Sequence, residues 1–326
     1  MQPTRSKKEW EEEFKKIYIC ILKRLKSYDD LILENEENLN AFKSEHTLDN
    51  NSIEFLPAYF NFIECFLAQD KKKLSEVKKY LIVGLTNLLN ASKKGDDKGA
   101  GYRGGNEYDD MEEVNRKLLQ SRLDLLFGRF NLKSDAPPEQ TIDKLTSSII
   151  TYSEIYGPES VGLTPQYFYL AEYFLVTIFK DQNKEQNKKI IVKKIYSKIA
   201  ELWRQYFAEK VNPLFKENDD DALLLAIGET YVKLINNKIA TEFPRNSESE
   251  LDLKFKMIKV VILRKTKSDL YQQALNNVLD QQKKVEEQIL DKEFFDDMNE
   301  FMKNDEEELK IKKYLINKIF SYLSKN

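Results

Sequence analysis

Apolar residues recur at helical spacing along most of the chain, three or four residues apart. The first such run covers about residues 7–33 and predicts an amphipathic helix. Its apolar face comprises Trp10, Phe14, Ile17, Tyr18, Ile21, Leu22 and Leu25. A stretch rich in Asn and Glu follows up to Asn51, so we predict an N-terminal helix and a polar linker over 1–52.

Further amphipathic runs are separated by short polar breaks, which favours antiparallel helical hairpins. Helices are predicted at about 53–68, 74–91, 111–130, 141–156, 164–180, 187–208, 219–240 and 251–290, with one or two short helices in 292–323. Residues 92–110 contain five of the ten glycines and predict a flexible loop between helices. A phosphate-binding loop is the alternative, but no Lys-Ser/Thr pair accompanies these glycines.

Two of these runs resemble each other in detail. Pro57–Leu67 and Pro165–Leu175 share six of eleven residues at the same offsets: Pro, Tyr, Phe, Glu, Phe and Leu. The second run also fits the first-helix motif of the tetratricopeptide repeat (TPR), in which a bulky residue is followed by Leu, a small residue and an aromatic residue. The four copies of this motif are Tyr167/Leu170/Ala171/Phe174, Leu224/Ile227/Gly228/Tyr231, Tyr59/Phe62/Ile63/Phe66 and the degenerate Gln120/Leu123/Asp124/Phe127.

This recurrence has a physical reason. The small position lets two helices approach closely, and a single hairpin cannot bury its apolar face without a stacked neighbour. The copies begin at 59, 120, 167 and 224, farther apart than the usual repeat of about 34 residues. We therefore predict an all-α fold: an irregular TPR-like α-solenoid of antiparallel hairpins over 53–245, with additional C-terminal helices over 246–326. A generic helical bundle is the alternative.

TPR arrays bind partners in the groove lined by their first helices. The residues just after the bulky and small positions are the candidates for that groove: Phe60, Glu64, Phe168, Glu172, Leu225 and Glu229. The recurring Glu predicts an acidic groove suited to a basic amphipathic helix. Alternatively, these carboxylates are solvated or pair with lysines of the next hairpin.

Composition argues against most chemistry. The chain has one His and two Cys, too few for a zinc finger with about four ligands. It contains no phosphate-binding, dinucleotide-binding or nucleophile-elbow motif, so we expect no catalytic residues, metal or cofactor. A net charge of −3 predicts no nucleic-acid partner. The lack of an apolar run of about 18 residues predicts no membrane span, and the N-terminus predicts no secretory signal.

Four stretches resemble a known family: LPAYFNFIECFLAQDKKKLSEVKKYLIVGLTNLL, NRKLLQSRLDLLFGRF, SEIYGPESVGLTPQYFYLAEYF and YSKIAELWRQYF. They look like the TPR region of the MYND-finger-containing ciliary protein family, which includes the small subunit associated with the single-headed inner-arm dynein d. The resemblance covers about 53–207, and its most specific pieces are the turn at 156–160 and Leu202-Trp203. The chain departs from the family because it has too few cysteines for the MYND zinc finger.

The resemblance implies a non-enzymatic adaptor of the ciliary axoneme, within the cytoplasmic cytoskeleton. Its partners would be the tail of an inner-arm dynein heavy chain and a second TPR protein. The alternative is a TPR co-chaperone or assembly factor that binds peptide segments of client proteins. That mode needs basic or amide side chains in the groove to hold a carboxylate, whereas the candidate positions carry Glu.

Overall fold

The computed structural model describes residues 4–48, 51–69, 73–96, 107–134, 136–177, 185–211, 221–243, 249–285 and 291–302. Every regular element among these residues is helical, which confirms the all-α prediction. The α-helices are α1 (Lys7–Lys23), α2 (Tyr28–Glu45), α3 (Leu56–Ala68), α4 (Leu74–Asp96), α5 (Glu107–Lys133), α6 (Pro138–Tyr156), α7 (Thr164–Thr177), α8 (Glu185–Val211), α9 (Asp221–Glu242), α10 (Ser249–Lys265), α11 (Tyr271–Val285) and α12 (Lys292–Phe301).

The N-terminal region differs from its prediction. The helix predicted over 7–33 ends at Arg24, whose φ of 53° is left-handed, and α2 begins after Ser27, whose side chain accepts a hydrogen bond from the Asp30 amide. The stretch predicted as a polar linker is therefore mostly helix. The buried face of α2 lacks a purely apolar pattern because it includes Asn35, which donates from Nδ2 to the Ala58 carbonyl at 2.9 Å.

The chain divides into two compact units. The first contains Met1–Ile199 and Asn218–Tyr231, and the second contains Ala200–Glu217 and Val232–Asn326. The division falls within α8 and α9, so each of these helices contributes to both units.

Helices of the first unit contact their neighbours in a regular order. α1 packs on α2 and α3, α3 packs on α4 and α5, and α5 packs on α6 and α7. The even-numbered helices α2, α4 and α6 also each pack on the next odd-numbered helix. Gly128 of α5 illustrates the close approach within a hairpin, since a Cβ there would lie 2.8 Å from Cγ of Leu145 on α6.

Helix α3 lies at the centre of the first unit. Eleven of its thirteen residues are buried, on every side of the helix. A helix that is apolar all round is a core helix. The α3 face that was predicted to line an open groove is therefore covered by neighbouring helices.

In the second unit, α10 packs against both α11 and α12. The helix predicted over 251–290 is interrupted near Lys267, whose φ is 51°. Asp291 caps α12 by accepting from the Phe294 amide, and its carboxylate binds Nζ of Lys254 on α10 at 2.5 Å. Arg204 of α8 also holds this helix through Asp297. Helix α12 is one of the short helices predicted in 292–323, and the remainder of that range, 303–323, lies outside the described residues.

The predicted glycine-rich loop is shorter than expected. Helix α4 extends to Asp96 and α5 begins at Glu107, so both ends of the predicted 92–110 loop are helical. Residues 97–106 lie outside the described part of the chain.

Candidate interaction site

The odd-numbered helices of the first unit converge on one group of charged and aromatic side chains, which we call the inner cluster. Each of α1, α3, α5, α7 and α9 contributes at least one side chain to it. Its members are Tyr18, Phe60, Glu64, Arg122, Arg129, Tyr169 and Tyr231.

A buried ion pair lies at the centre of the inner cluster. Arg129 Nη1 donates to Glu64 Oε2 at 2.6 Å, and the two side chains are only 11% and 6% exposed. The guanidinium also lies over the Tyr169 ring at 4.6 Å. Burial is the largest influence on the pKa of Arg129 and opposes its charge, but the surrounding groups, Glu64 foremost, together raise this pKa well above its usual value. The contact joins α3 of one hairpin to α5 of the next.

A second arginine, Arg122, is held mainly by aromatic rings. Its guanidinium lies 4.1 Å from the ring centre of Tyr18 and 5.1 Å from that of Phe60. Its Nε and Nη2 atoms are buried without a hydrogen-bond partner among the described residues. Cation–π contacts therefore take the place of hydrogen bonds at this position.

The tyrosines of the cluster are kept neutral by burial. Burial is the main reason why the pKa of Tyr231 lies well above its usual value, and the same holds for Tyr18. Burial likewise raises the pKa of Tyr169, although Arg129 opposes the change. Neutral rings with their faces toward a guanidinium stabilise the cation without adding a charge.

Helices α1 and α9 close the cluster on its remaining side. Thr230 Oγ1 donates to the Leu22 carbonyl at 3.0 Å, near the end of α1. The neighbouring Lys23 Nζ lies 3.4 Å from Glu229 Oε2. The first and fifth odd-numbered helices therefore contact each other at these positions.

This arrangement corrects the prediction of an open acidic groove. Phe60 is 0% exposed, Phe168 is 4% exposed and Glu64 is 5% exposed, so none of them lines an open surface. Glu172 and Leu225 are partly exposed, while the Glu229 side chain is 43% exposed. The alternative of pairing with the next hairpin holds for Glu64, although the partner is arginine rather than lysine. A partner-binding role for Glu172, Leu225 and Glu229 stays a prediction.

Sequence reasoning missed the two arginines. Arg122 and Arg129 are seven residues apart on α5 and therefore lie on one face of that helix. That spacing is a usable signal, because a pair of cations on the apolar side of a helix requires partners. Only the degenerate motif copy on α5 entered the prediction, which therefore did not include these arginines.

The described residues include no group of three or more His, Cys, Asp or Glu side chains placed to hold a metal ion. None of their helices is both long and apolar enough to span a membrane.

Comparison with protein-family models, curated proteins and solved structures finds no match to this chain. The fold places it in the class of all-α proteins. The resemblance to the ciliary family stays a prediction.

Cys65 offers a chemical test of the central helix. It is 1% exposed on α3, and burial, helped by the negative charges of Glu64 and Asp29, raises its pKa to about 12. At pH 8 only about one thiol in ten thousand would then be ionised, and the thiolate is the reactive form. Titration with Ellman's reagent should therefore detect only the partly exposed Cys20 in the folded protein, and both thiols in denaturant.

Two variants make the thiol assignment specific. Folded Cys20→Ala protein should show almost no reactive thiol, whereas folded Cys65→Ala protein should react like the wild type. Rapid reaction of Cys65 in folded Cys20→Ala protein would show that α3 is more accessible than the structure indicates.

Proposed function

We propose that the protein is a non-enzymatic scaffold built of stacked TPR-like hairpins. The observation that carries this proposal is the regular packing order of α1 to α7, in which each odd-numbered helix contacts the next even-numbered and the next odd-numbered helix. The shared sequence motif falls on α3, α7 and α9, all odd-numbered. Equivalent sequence at equivalent places in the packing is what a stacked repeat requires.

The more specific proposal is that this scaffold is an adaptor subunit of an inner-arm dynein complex in motile cilia. It would bind the tail of the dynein heavy chain and a second TPR protein. The sequence resemblance over residues 53–207 supports this assignment. Because the inner cluster is buried, we expect these partners to contact exposed residues outside it.

The co-chaperone alternative is less well supported by the geometry. Capture of a peptide carboxylate needs accessible cations in the inner groove. Arg129 is instead buried and bound to Glu64. Arg122 is covered by Tyr18 and Phe60.

Fractionation of ciliary extracts tests the adaptor proposal. An epitope-tagged copy of the full chain is expressed in cells with motile cilia, and a high-salt extract of isolated cilia is separated by gel filtration. The tagged protein should co-elute with an inner-arm dynein heavy chain, as identified by mass spectrometry of the tagged fractions. Purified chain should also retain a recombinant heavy-chain tail.

Two results would overturn the proposal. One is the absence of the tagged protein from cilia, together with its co-elution with a cytosolic chaperone. The other is failure of the purified, folded chain to retain any heavy-chain tail that the extract contains.

A further inference from the structure

The even-numbered helices of the first unit each expose a face on which aliphatic side chains accompany charges that are mainly of one sign. We call these four faces the outer stripes of α2, α4, α6 and α8. Their exposed aliphatic side chains are Leu33 (57%), Ile82 (52%), Leu89 (54%), Ile150 (58%), Ile190 (45%) and Ile191 (38%).

The outer stripes of α2 and α6 are acidic. Around Leu33, α2 exposes Asp29, Asp30, Glu36 and Glu37, and the exposed Lys43 lies two turns after Glu36 on the same face, so four carboxylates outnumber one cation. On α6, the exposed Glu139, Asp143 and Glu154 share a face with Ile150, because they are separated from one another by whole numbers of helical turns. The lysine of this helix, Lys144, lies on a different face and pairs with Asp124 of α5 at 2.6 Å.

The outer stripes of α4 and α8 are basic. The exposed residues of α4 from 75 to 89 fall on one narrow face and carry Lys78 and Lys79 but no carboxylate. On α8, the exposed residues from 190 to 197 include Lys194 as their only charge.

The stripes follow one another in order along the first unit. Helix α2 packs on α1 and α3, α4 on α3 and α5, and α6 on α5 and α7. Lys198 of α8 binds Glu159, just after the end of α6, at 2.5 Å. The sequence of signs along this outer surface is therefore negative, positive, negative, positive.

We propose that this outer surface binds a second copy of the chain about a twofold axis. A twofold axis between α4 and α6 sets α4 of one copy against α6 of the other, and α2 against α8. Reversing the order of an alternating pattern pairs every acidic stripe with a basic one, so the surface is complementary to itself, as a twofold interface requires. The exposed aliphatic side chains would lie between the charges and lose their contact with water.

The alternation also argues against other occupants. A partner of uniform charge, such as a nucleic acid or an anionic membrane, would be attracted by two stripes and repelled by the other two. The self-association does not rest on the dynein proposal, since it involves only this chain.

Sedimentation velocity of the purified full chain at low salt tests the inference. Over about 1–100 µM, the range of moderate affinities, the wild type should shift from monomer toward dimer and dissociate as salt is added. Lys78→Glu/Lys79→Glu, which makes the α4 stripe acidic, should weaken the dimer by about tenfold or more. Asp143→Lys/Glu154→Lys, which makes the α6 stripe basic, should have the same effect.

Mixing the two variants gives the decisive measurement. An equimolar mixture should restore the dimer, because the reversed α4 stripe of one copy then faces the reversed α6 stripe of the other, and the three remaining contacts stay complementary. Lys283→Glu/Lys284→Glu on the exposed face of α11 is the matched control, with the same charge change and no expected effect on association.

Three results would overturn the inference. They are a wild type that stays monomeric throughout, a dimer that both charge-reversed variants leave intact, and weakened variants that fail to recover when mixed. Circular dichroism of each variant must show wild-type helicity, so that a loss of association reports on the surface. Loss of the dimer with retained heavy-chain binding would separate this inference from the proposed function.

Discussion

Replacing Arg129 by Met is expected to destabilise the first unit by about 3–5 kcal/mol. The substitution leaves the Glu64 carboxylate buried, 6% exposed and without its cation. It also removes the guanidinium from the Tyr169 ring. Without Arg129, nothing compensates the Glu64 charge in the low-dielectric interior. The folded state therefore loses far more free energy than a single surface ion pair contributes.

A double-mutant cycle separates this cause from a loss of packing. Arg129→Met/Glu64→Met should be clearly more stable than Arg129→Met alone, because removing both charges replaces a buried ion pair with apolar contacts. Urea unfolding followed by far-ultraviolet circular dichroism measures all variants. Lys16→Met, which breaks an exposed pair with Glu13, is the control and should change stability by less than about 1 kcal/mol.

If the free-energy losses of the single variants Arg129→Met and Glu64→Met add up to the loss of the double variant, the pair carries no coupling energy. The idea that a buried ion pair joins the hairpins would then be wrong. A loss from Arg129→Met as small as that from Lys16→Met would contradict it equally.

Truncating Phe60 or Phe168 to Ala is expected to cost about 3–5 kcal/mol each. The sequence predicts these two residues to line an open groove, where truncation would change stability little. In the structure they are 0% and 4% exposed, and Phe168 packs edge-on against Tyr231 with ring centres 5.3 Å apart. Each substitution therefore leaves a cavity in the interior rather than a smaller side chain on a surface.

Val176→Ala is the matched control for these two variants. Val176 is 55% exposed on α7, so its truncation should change the free energy of unfolding by no more than about 0.5 kcal/mol. Midpoints of thermal and urea unfolding give the comparison. If the Phe60→Ala and Phe168→Ala proteins unfold like Val176→Ala, the two rings do not lie in the interior and the open groove is restored.

The all-α fold class and the positions of most helices could be predicted from the sequence. Regular apolar spacing, helix-ending Gly157 and few turn residues were sufficient for α3 to α9, because these signals act within one helix or one turn. They failed at α2, whose buried face includes Asn35, and at the ends of the glycine-rich stretch. At α2, polar composition outweighed the helical periodicity, and the buried Asn35 is satisfied by its hydrogen bond to the Ala58 carbonyl of α3.

The repeated motif was also found from the sequence. Whether its residues are buried or exposed could not be predicted in this way. The same Glu recurs after the small position in α3, α7 and α9, yet Glu64 is buried and the Glu229 side chain is 43% exposed. Local spacing specifies which side of a helix a residue occupies, and three copies of one pattern look alike on that basis. It cannot specify whether another helix covers that side.

The contact between α9 and α1, which brings the inner faces of the odd-numbered helices together, is visible in the tertiary structure alone. The contacts responsible join residues far apart in the chain: Thr230 with Leu22, and Arg129 with Glu64. The number of helices and the angle between successive hairpins determine whether α9 reaches α1, and no single helix encodes that angle. The same long-range closure turns candidate binding residues into core residues and leaves the even-numbered helices as the outer surface.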